Sequence, residues 1–450
     1  MTLLAIDWGS VGIKAAQFIL SISILVVFHE FGHFITAKLF KCRVEKFYLF
    51  FDPWFSLFKK KKGETEYGIG WVPLGGYVKI SGMIDESMDK AQMKEPPKPY
   101  EFRSKPAWQR LIIMVSGVVV NVLLAFVIYA MMLWHWGDSY LPTKNLKYGI
   151  ATDSLGKSIG LQNGDKIMSV DGKEVERFNN VSLKIILDNA KSIEVERDGQ
   201  TKSIAIPDDF AQNLIHFKDV DFIVPRLFNV ISKVADTSVA QKAGLKDGDK
   251  IVEANGTPIQ FYDQFKEVIQ ANKNKPLTIK VLRGNDTVAI NLTVPKAGMI
   301  GIATQIPDSV YQFTKLQYGF LESLPAGLNK SKETLRSYVL QLKLIFSGKV
   351  KASESVGSVI SIGNLFPGQW DWESFWKLTA FISLILAFMN ILPIPALDGG
   401  HALFCIIEMI TGRKPSDKFM ERAQMIGMVL LLSLMAYALG LDVFRLFKKG

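Results

Sequence analysis

Four stretches of this chain are long and apolar enough to cross a bilayer, and they constrain its fold more than any other feature. A crossing helix needs about 20 apolar residues. The stretches lie at about 16–40, 109–134, 375–392 and 424–441. Ordinary polar sequence separates them, so the averages of 48% hydrophobic and 21% charged residues blend two kinds of segment. The expected fold class is a multi-pass α-helical membrane protein with four transmembrane helices, carrying β-rich domains between spans two and three.

Charge sets the expected orientation. The formal charge is +10, and residues 38–110 hold 15 basic against 9 acidic side chains, including the run Lys59–Lys62. Two apolar spans flank this region, so the excess reads as a cytoplasmic loop obeying the positive-inside rule rather than a nucleic-acid patch. Arg413, Lys414, Lys418 and Arg422 place the loop between spans three and four on the same side. Arg445, Lys448 and Lys449 at the C-terminus oppose the rule but are outvoted. The segment 141–374 is then expected outside, across the membrane from these basic loops. Two cysteines, Cys42 and Cys405, exclude a disulfide framework and read as packed thiols. The N-terminus lacks a basic n-region and a small-x-small cleavage site, so the first span is expected to be retained.

The segment between spans two and three contains a repeat. LQNGDKIMSVDG at 161–172 and LKDGDKIVEANG at 245–256 align at an offset of 84, pairing Gly164 with Gly248, Asp165 with Asp249 and Gly172 with Gly256. Each copy reads as a turn, an alternating strand and a second glycine turn. Two small β-rich domains are expected at about 145–210 and 221–297, and the pattern resembles PDZ domains of the permuted bacterial kind. Residues 326–347 then read as an amphipathic helix with Leu335, Val339, Leu342 and Phe346 on one face. It is expected either along the outer membrane surface or packed on the second β-rich domain. It forms part of a helical connector, 310–374, between membrane halves at 1–140 and 375–450.

The chemistry is concentrated in span one. His29-Glu30-Phe31-Gly32-His33 is an HExxH motif on a predicted helix. Histidines at i and i+4 share one helical face, so both imidazoles can reach one ion. Glu30 is placed to take a proton from metal-activated water without ligating the metal. With five histidines in the chain, composition predicts roughly 0.002 chance matches. Burying these groups in a membrane span costs several kcal/mol unless they find partners, and a metal is one. A third ligand is required if the fourth position is to stay open. The candidate is Asp398 in Asn390-Ile391-Leu392-Pro393-Ile394-Pro395-Ala396-Leu397-Asp398-Gly399-Gly400, where two prolines break the helix and the glycines are expected to turn the backbone toward the ligand. One intervening span makes spans one and three run in the same direction, so both motifs reach similar depth. The alternatives are satisfied core histidines and a solvated, helix-ending Asp.

These residues together resemble the site-2 protease family. HEFGH in the first span, Ser116-Gly117-Val118-Val119-Val120-Asn121 in the second and NILPIPALDGG at the third carry the resemblance, and two PDZ-like domains narrow it to the bacterial RseP-like branch. The resemblance implies an intramembrane zinc metalloprotease, with His29, His33 and Asp398 binding Zn2+ and Glu30 as catalytic base. Implied substrates are membrane-spanning proteins, such as anti-sigma factors already trimmed by another protease, and remnant signal peptides. Expected partners are these substrates and membrane lipid, with no nucleic acid. His401 is expected in a supporting or surface role, because a fourth protein ligand would close the site. Asn390 is a candidate for binding the substrate backbone or the oxyanion, or for a polar contact in the helix bundle. Gly117 and Asn121 read as residues allowing close helix packing.

A helical substrate must be unwound before it is cut. Residues 64–80 read as two short strands around a Pro73–Gly76 turn, next to the apolar stretch 47–58, and the family has a membrane-associated β-loop here, at 64–83 in this chain. An exposed strand edge can pair with an extended substrate, making Gly75, Gly76 and Tyr77 candidate substrate contacts. The acidic–basic segment 83–99 that follows departs from the family's pattern. The β-rich pair is expected either to bind a newly exposed C-terminus or to exclude bulky ectodomains. Two other function classes compete: a membrane scaffold with a vestigial metal site, and a zinc transporter or sensor. Intact His29, Glu30, His33 and Asp398 oppose the first, and a single three-ligand site on four spans opposes the second.

Overall fold

Asp7 starts the first helix by accepting hydrogen bonds from the Gly9 and Ser10 amides, at 3.1 and 3.2 Å. From this cap α1 runs over Trp8–Leu39, about 48 Å at 1.5 Å per residue. The helix begins earlier than its apolar run, because the cap and the polar first turns are helical without being hydrophobic. The computed structural model describes residues 7–83, 95–216, 222–304, 311–346 and 357–448. Residues 84–94 of the acidic–basic segment and 347–356 of the connector lie outside the described residues.

Four strands follow α1: β1 Val44–Phe51, β2 Phe58–Lys62, β3 Thr65–Ile69 and β4 Val72–Ile80. Their order in the sheet is β2-β3-β1-β4. The expected two-strand hairpin around Pro73–Gly76 is therefore corrected. Pro73 and Gly76 lie within β4, and β1 sits between β3 and β4, parallel to the first and antiparallel to the second. The apolar stretch 47–58 supplies most of this central strand, whose successive apolar residues 47–51 show no alternation. Pro73 is tolerated because β4 is an edge strand with a register shift between Leu49 and Phe51 on its partner. The sheet lies on α1: a Cβ on Gly76 would come within 2.6 Å of the Val26 side chain.

Helix α2 spans Ala107–His135 and is the hub of the membrane unit, packing against α1 and two later helices. Gly32 of α1 meets α2 backbone to backbone, since a Cβ there would lie 2.6 Å from the Ser116 carbonyl oxygen. Thr36 and Ser116 hydroxyls, 3.0 Å apart, close the same crossing.

The described residues of Asp138–Leu316 form a separate compact unit. Its first half holds the antiparallel sheet Lys166–Val170, Ser192–Arg197, Gln200–Ala205 and the helix Asn179–Leu187. Its second holds Lys250–Ala254, Pro276–Arg283, Asp286–Thr293 and the helix Tyr262–Ala271. The repeat glycines Gly164, Gly172, Gly248 and Gly256 all take positive φ. The repeat aspartates, each 1% exposed, are clamped by bidentate guanidinium groups: Arg197 on Asp165 and Arg283 on Asp249, every contact 2.7 Å. A fixed offset of 84 does not align these arginines, because 283 − 197 is 86. Short strands Ile223–Pro225 and Ile302–Thr304 pair with Ile150–Thr152 and Ile231–Val234. Asp138–Tyr140 pairs with Thr314–Leu316, bringing the two ends of the unit together.

The chain returns to the membrane unit through α3, Phe320–Phe346. This helix packs on α2, where a Cβ on Gly327 would lie 2.7 Å from the Ala130 nitrogen, and Leu335 joins the cluster around Ala125, Ile128 and Tyr129. Phe346 is exposed. The short α4, Val359–Gly363, precedes α5, Trp372–Ile391. Asp398–Thr411 forms α6, and Asp417–Lys448 forms α7. Asp442 on α7 is buried and accepts hydrogen bonds from Ser358 and Ser361, through the amide and hydroxyl of each. The apolar count ended span four before this carboxylate.

Among the described residues, four helices are long and apolar enough to cross a membrane: Trp8–Leu39, Ala107–His135, Trp372–Ile391 and Lys418–Arg445. Only 17% of the apolar window is buried in the first and last. Ile19, Phe28, Phe31, Val429, Leu430 and Leu434 stay exposed, as expected where lipid rather than water is the solvent.

Candidate metal centre

One helical turn separates His29 from His33, so α1 presents both imidazoles to the same side. Asp398 arrives from the start of α6, 365 residues after His33 in sequence. Its Oδ2 lies 3.2 Å from His29 Nε2 and 3.4 Å from His33 Nε2, and the two Nε2 atoms are 3.4 Å apart. Among the described residues this is the one group of three or more His, Cys, Asp or Glu side chains spaced to hold a metal ion.

The spacing tests the fit. Three donors about 2.05 Å from one tetrahedral centre stand roughly 3.3 Å apart, and the observed edges match that triangle. The protonation pattern agrees. His33 Nδ1 is 2.8 Å from the Ile113 carbonyl oxygen, which only accepts, so Nδ1 carries a proton and Nε2 is the nitrogen left to offer a lone pair to a metal. Asp398 Oδ2 is buried with no well-directed hydrogen bond. Lone pairs converging on one point are unfavourable until a cation occupies it.

Local packing explains how the sequence builds this triangle. A Cβ on Gly117 would lie 2.4 Å from His33 Nε2 and 2.7 Å from His29 Cε1, so both rings rest against the bare α2 backbone. The expectation that Gly399 and Gly400 turn the chain is corrected. Neither has positive φ, and Asp398 opens a 14-residue helix instead. They are small because added Cβ atoms would lie 2.2 Å from the Leu392 carbonyl oxygen and 2.5 Å from that of Ile394. The strained turn residue is Ala396, at φ 82°. Gly427 of α7 seals the loop from outside, where a Cβ would collide with the Pro395 carbonyl at 1.6 Å.

The triangle opens into a cavity of about 740 Å³. Glu30 lines it and takes a backbone hydrogen bond from Val78 of β4. Gly75, Gly76 and Tyr77 line it along the same edge strand, although the Tyr77 hydroxyl is committed to Asp52 at 2.8 Å. Burial and the Asp52 carboxylate both push the Tyr77 phenol above its ordinary pKa, so it stays protonated. Asn390 Nδ2 stands 3.2 Å from His29 Nε2. His401 lines the cavity but is outside the donor triangle. Asn121 does more than allow packing: its amide reaches His29 Nδ1 at 3.3 Å. Gln424 also lines the cavity and is buried. A glutamine opening an apolar span was the signal that sequence reading passed over.

Comparison with known proteins decides the class. The model of peptidase family M50 matches residues 17–434. The chain belongs to peptidase family M50. A putative zinc metalloprotease of Vibrio cholerae is 30% identical to it, over 95% of this chain and 98% of the relative. Protease RseP of Yersinia pestis is 30% identical, over 96% and 98%. Regulator of sigma-E protease RseP of Escherichia coli is 29% identical, over 96% and 98%. This M50 chain is thus a membrane metalloprotease of the zinc-dependent site-2 type, and the scaffold and transporter readings fall away.

Proposed function

We propose that this M50 peptidase cuts peptide bonds inside transmembrane segments, with His29, His33 and Asp398 as zinc ligands and Glu30 as general base. The single observation carrying the assignment is the donor triangle with edges of 3.2–3.4 Å, opening on a cavity that Glu30 shares. Bound there, zinc supplies a Lewis acid that polarises the scissile carbonyl and makes water a competent nucleophile near neutral pH. Glu30 takes the proton from the attacking water and delivers it to the leaving amide nitrogen. Asn390 donates its amide N–H to the carbonyl oxygen as negative charge grows there. The free edge of β4, around Gly75 and Gly76, pairs with the substrate main chain and holds it extended, since a helical bond is shielded by its own turn.

Substitution of Asp398 by Asn tests the ligand set. Zinc content per chain and cleavage of a model transmembrane peptide should fall together, with affinity weakened at least tenfold, while helix content is unchanged. Full zinc occupancy in this variant would remove Asp398 from the ligand set.

The reading extends to topology and substrates. The β-rich halves are PDZ-like domains, at about 145–210 and 221–297, closed by the strands 223–225 and 302–304. They lie periplasmically and the metal faces the cytoplasmic half of a bacterial inner membrane, as the basic loops favour. The membrane core comprises 1–140 and 375–450, with 310–374 as connector. The substrates are membrane proteins already shortened outside, such as anti-sigma factors after a first cut, and remnant signal peptides. The PDZ-like pair excludes intact ectodomains by size. The paired strands 138–140 and 314–316 form a stem on which it can be excised. Removing 145–310 over this stem should allow cleavage of full-length substrate that the intact protease spares. Unchanged selectivity would defeat size exclusion.

A further inference from the structure

We infer that Asn121 is the positioning residue for His29, its amide turned so that Oδ1 accepts the proton of Nδ1 whenever Nε2 ligates the metal. The inference rests on the ligand assignment above. Nε2 of His29 faces both Asp398 and His33. A neutral imidazole offers one lone pair and one N–H, so ligation through Nε2 requires the proton on Nδ1. That N–H lies against the α2 backbone at Gly117, on a side chain 12% exposed, and needs an acceptor.

The group beside it is the Asn121 amide, 3.3 Å away and 1% exposed. With nitrogen toward the ring, the amide serves only the opposite tautomer, with the proton on Nε2, and its own buried Oδ1 has no partner. Rotating the amide by 180° exchanges two nearly isosteric atoms. Oδ1 then meets Nδ1–H, and the NH2 takes the buried place that Oδ1 held. His33 has a fixed acceptor in the Ile113 carbonyl. His29 has an amide that can serve either tautomer, so Asn121 can follow the ring between the metal-free and metal-bound states.

The backbone holds Asn121 for this task. Ser383 of α5 donates its hydroxyl to the Asn121 carbonyl oxygen at 2.8 Å. Asn121 lies one turn beyond Gly117 on the same face of α2. Gly117 admits the two rings, and Asn121 sets the tautomer of one. The four-residue spacing in Ser116-Gly117-Val118-Val119-Val120-Asn121 therefore serves the site as well as the helix crossing.

The test uses the full-length protein in detergent and zinc competition with a chelator. Asn121→Leu keeps the branching, with bulkier methyl ends, and removes the acceptor, so zinc affinity should fall about 10–100-fold, the usual cost of losing a partner behind a metal-bound histidine. Asn121→Asp retains an acceptor and should bind zinc at least as tightly as wild type. Nitrogen-15 spectra of histidine-labelled, zinc-loaded protein separate an acceptor from a mere added charge. A slowly exchanging Nδ1–H of His29 should be seen in wild type and Asn121→Asp, and lost in Asn121→Leu. Wild-type zinc affinity in Asn121→Leu, or equal losses in both variants, overturns the role of Asn121. A wild-type protein that binds no zinc overturns the ligand assignment itself.

Discussion

Glu30→Gln should lower cleavage of a transmembrane peptide by about 10²–10⁴-fold, the range of a lost general base, while leaving zinc content at the wild-type level. The two readouts separate because Glu30 lies beside the donor triangle and is not part of it. Gln is nearly isosteric and still accepts the Val78 backbone hydrogen bond through its amide oxygen, so the wall of the cavity keeps its shape. What it loses is the ability to take a proton from water and return it to the leaving nitrogen. Purified protein, metal analysis and single-turnover cleavage measure both quantities. Retained cleavage would remove Glu30 from the reaction. Joint loss of zinc and cleavage would make it a ligand instead.

Gly117→Ala should abolish both zinc binding and cleavage, although the substitution adds one methyl group to a residue with no side-chain chemistry. The added Cβ would stand 2.4 Å from His33 Nε2 and 2.7 Å from His29 Cε1. Both rings must move by several tenths of an ångström, and the crossing of α1 and α2 leaves little room: a Cβ on neighbouring Gly32 would itself meet the Ser116 carbonyl at 2.6 Å. Tetrahedral coordination tolerates errors of about 0.2 Å. Zinc affinity should fall by at least about 100-fold, the upper end of the effect of disturbing a metal ligand's support. Gly12→Ala on α1 is the control, because a Cβ there meets nothing within 4 Å. Equal zinc affinity in both variants would show that the rings do not depend on the bare backbone at Gly117.

Much of the site was legible because its chemistry is written in short-range patterns. The i, i+4 histidines, the apolar runs around them and the proline–glycine motif at Asp398 are local features. The parity of the spans brings the two motifs to similar depth. The interleaved sheet was not legible, since β1 carries apolar residues at successive positions 47–51 without alternation, and its parallel pairing with β3 is a tertiary choice. The helix beginning at Asp398 was hidden by prolines that end one helix just before another begins. Arg197 and Arg283 escaped because two extra residues shift their register relative to the aspartates they clamp.

The sequence by itself determined which atoms are available to a metal and that the two histidines lie within an apolar span, because residue type and helical periodicity are local properties. Only the tertiary structure decided that Gly117 yields its space to both imidazoles, that Ile113 and Asn121 stand behind them, and that β4 presents its edge to the same cavity. Those relations join positions far apart in the chain. Side-chain packing between helices sets them, and no spacing along the chain encodes it.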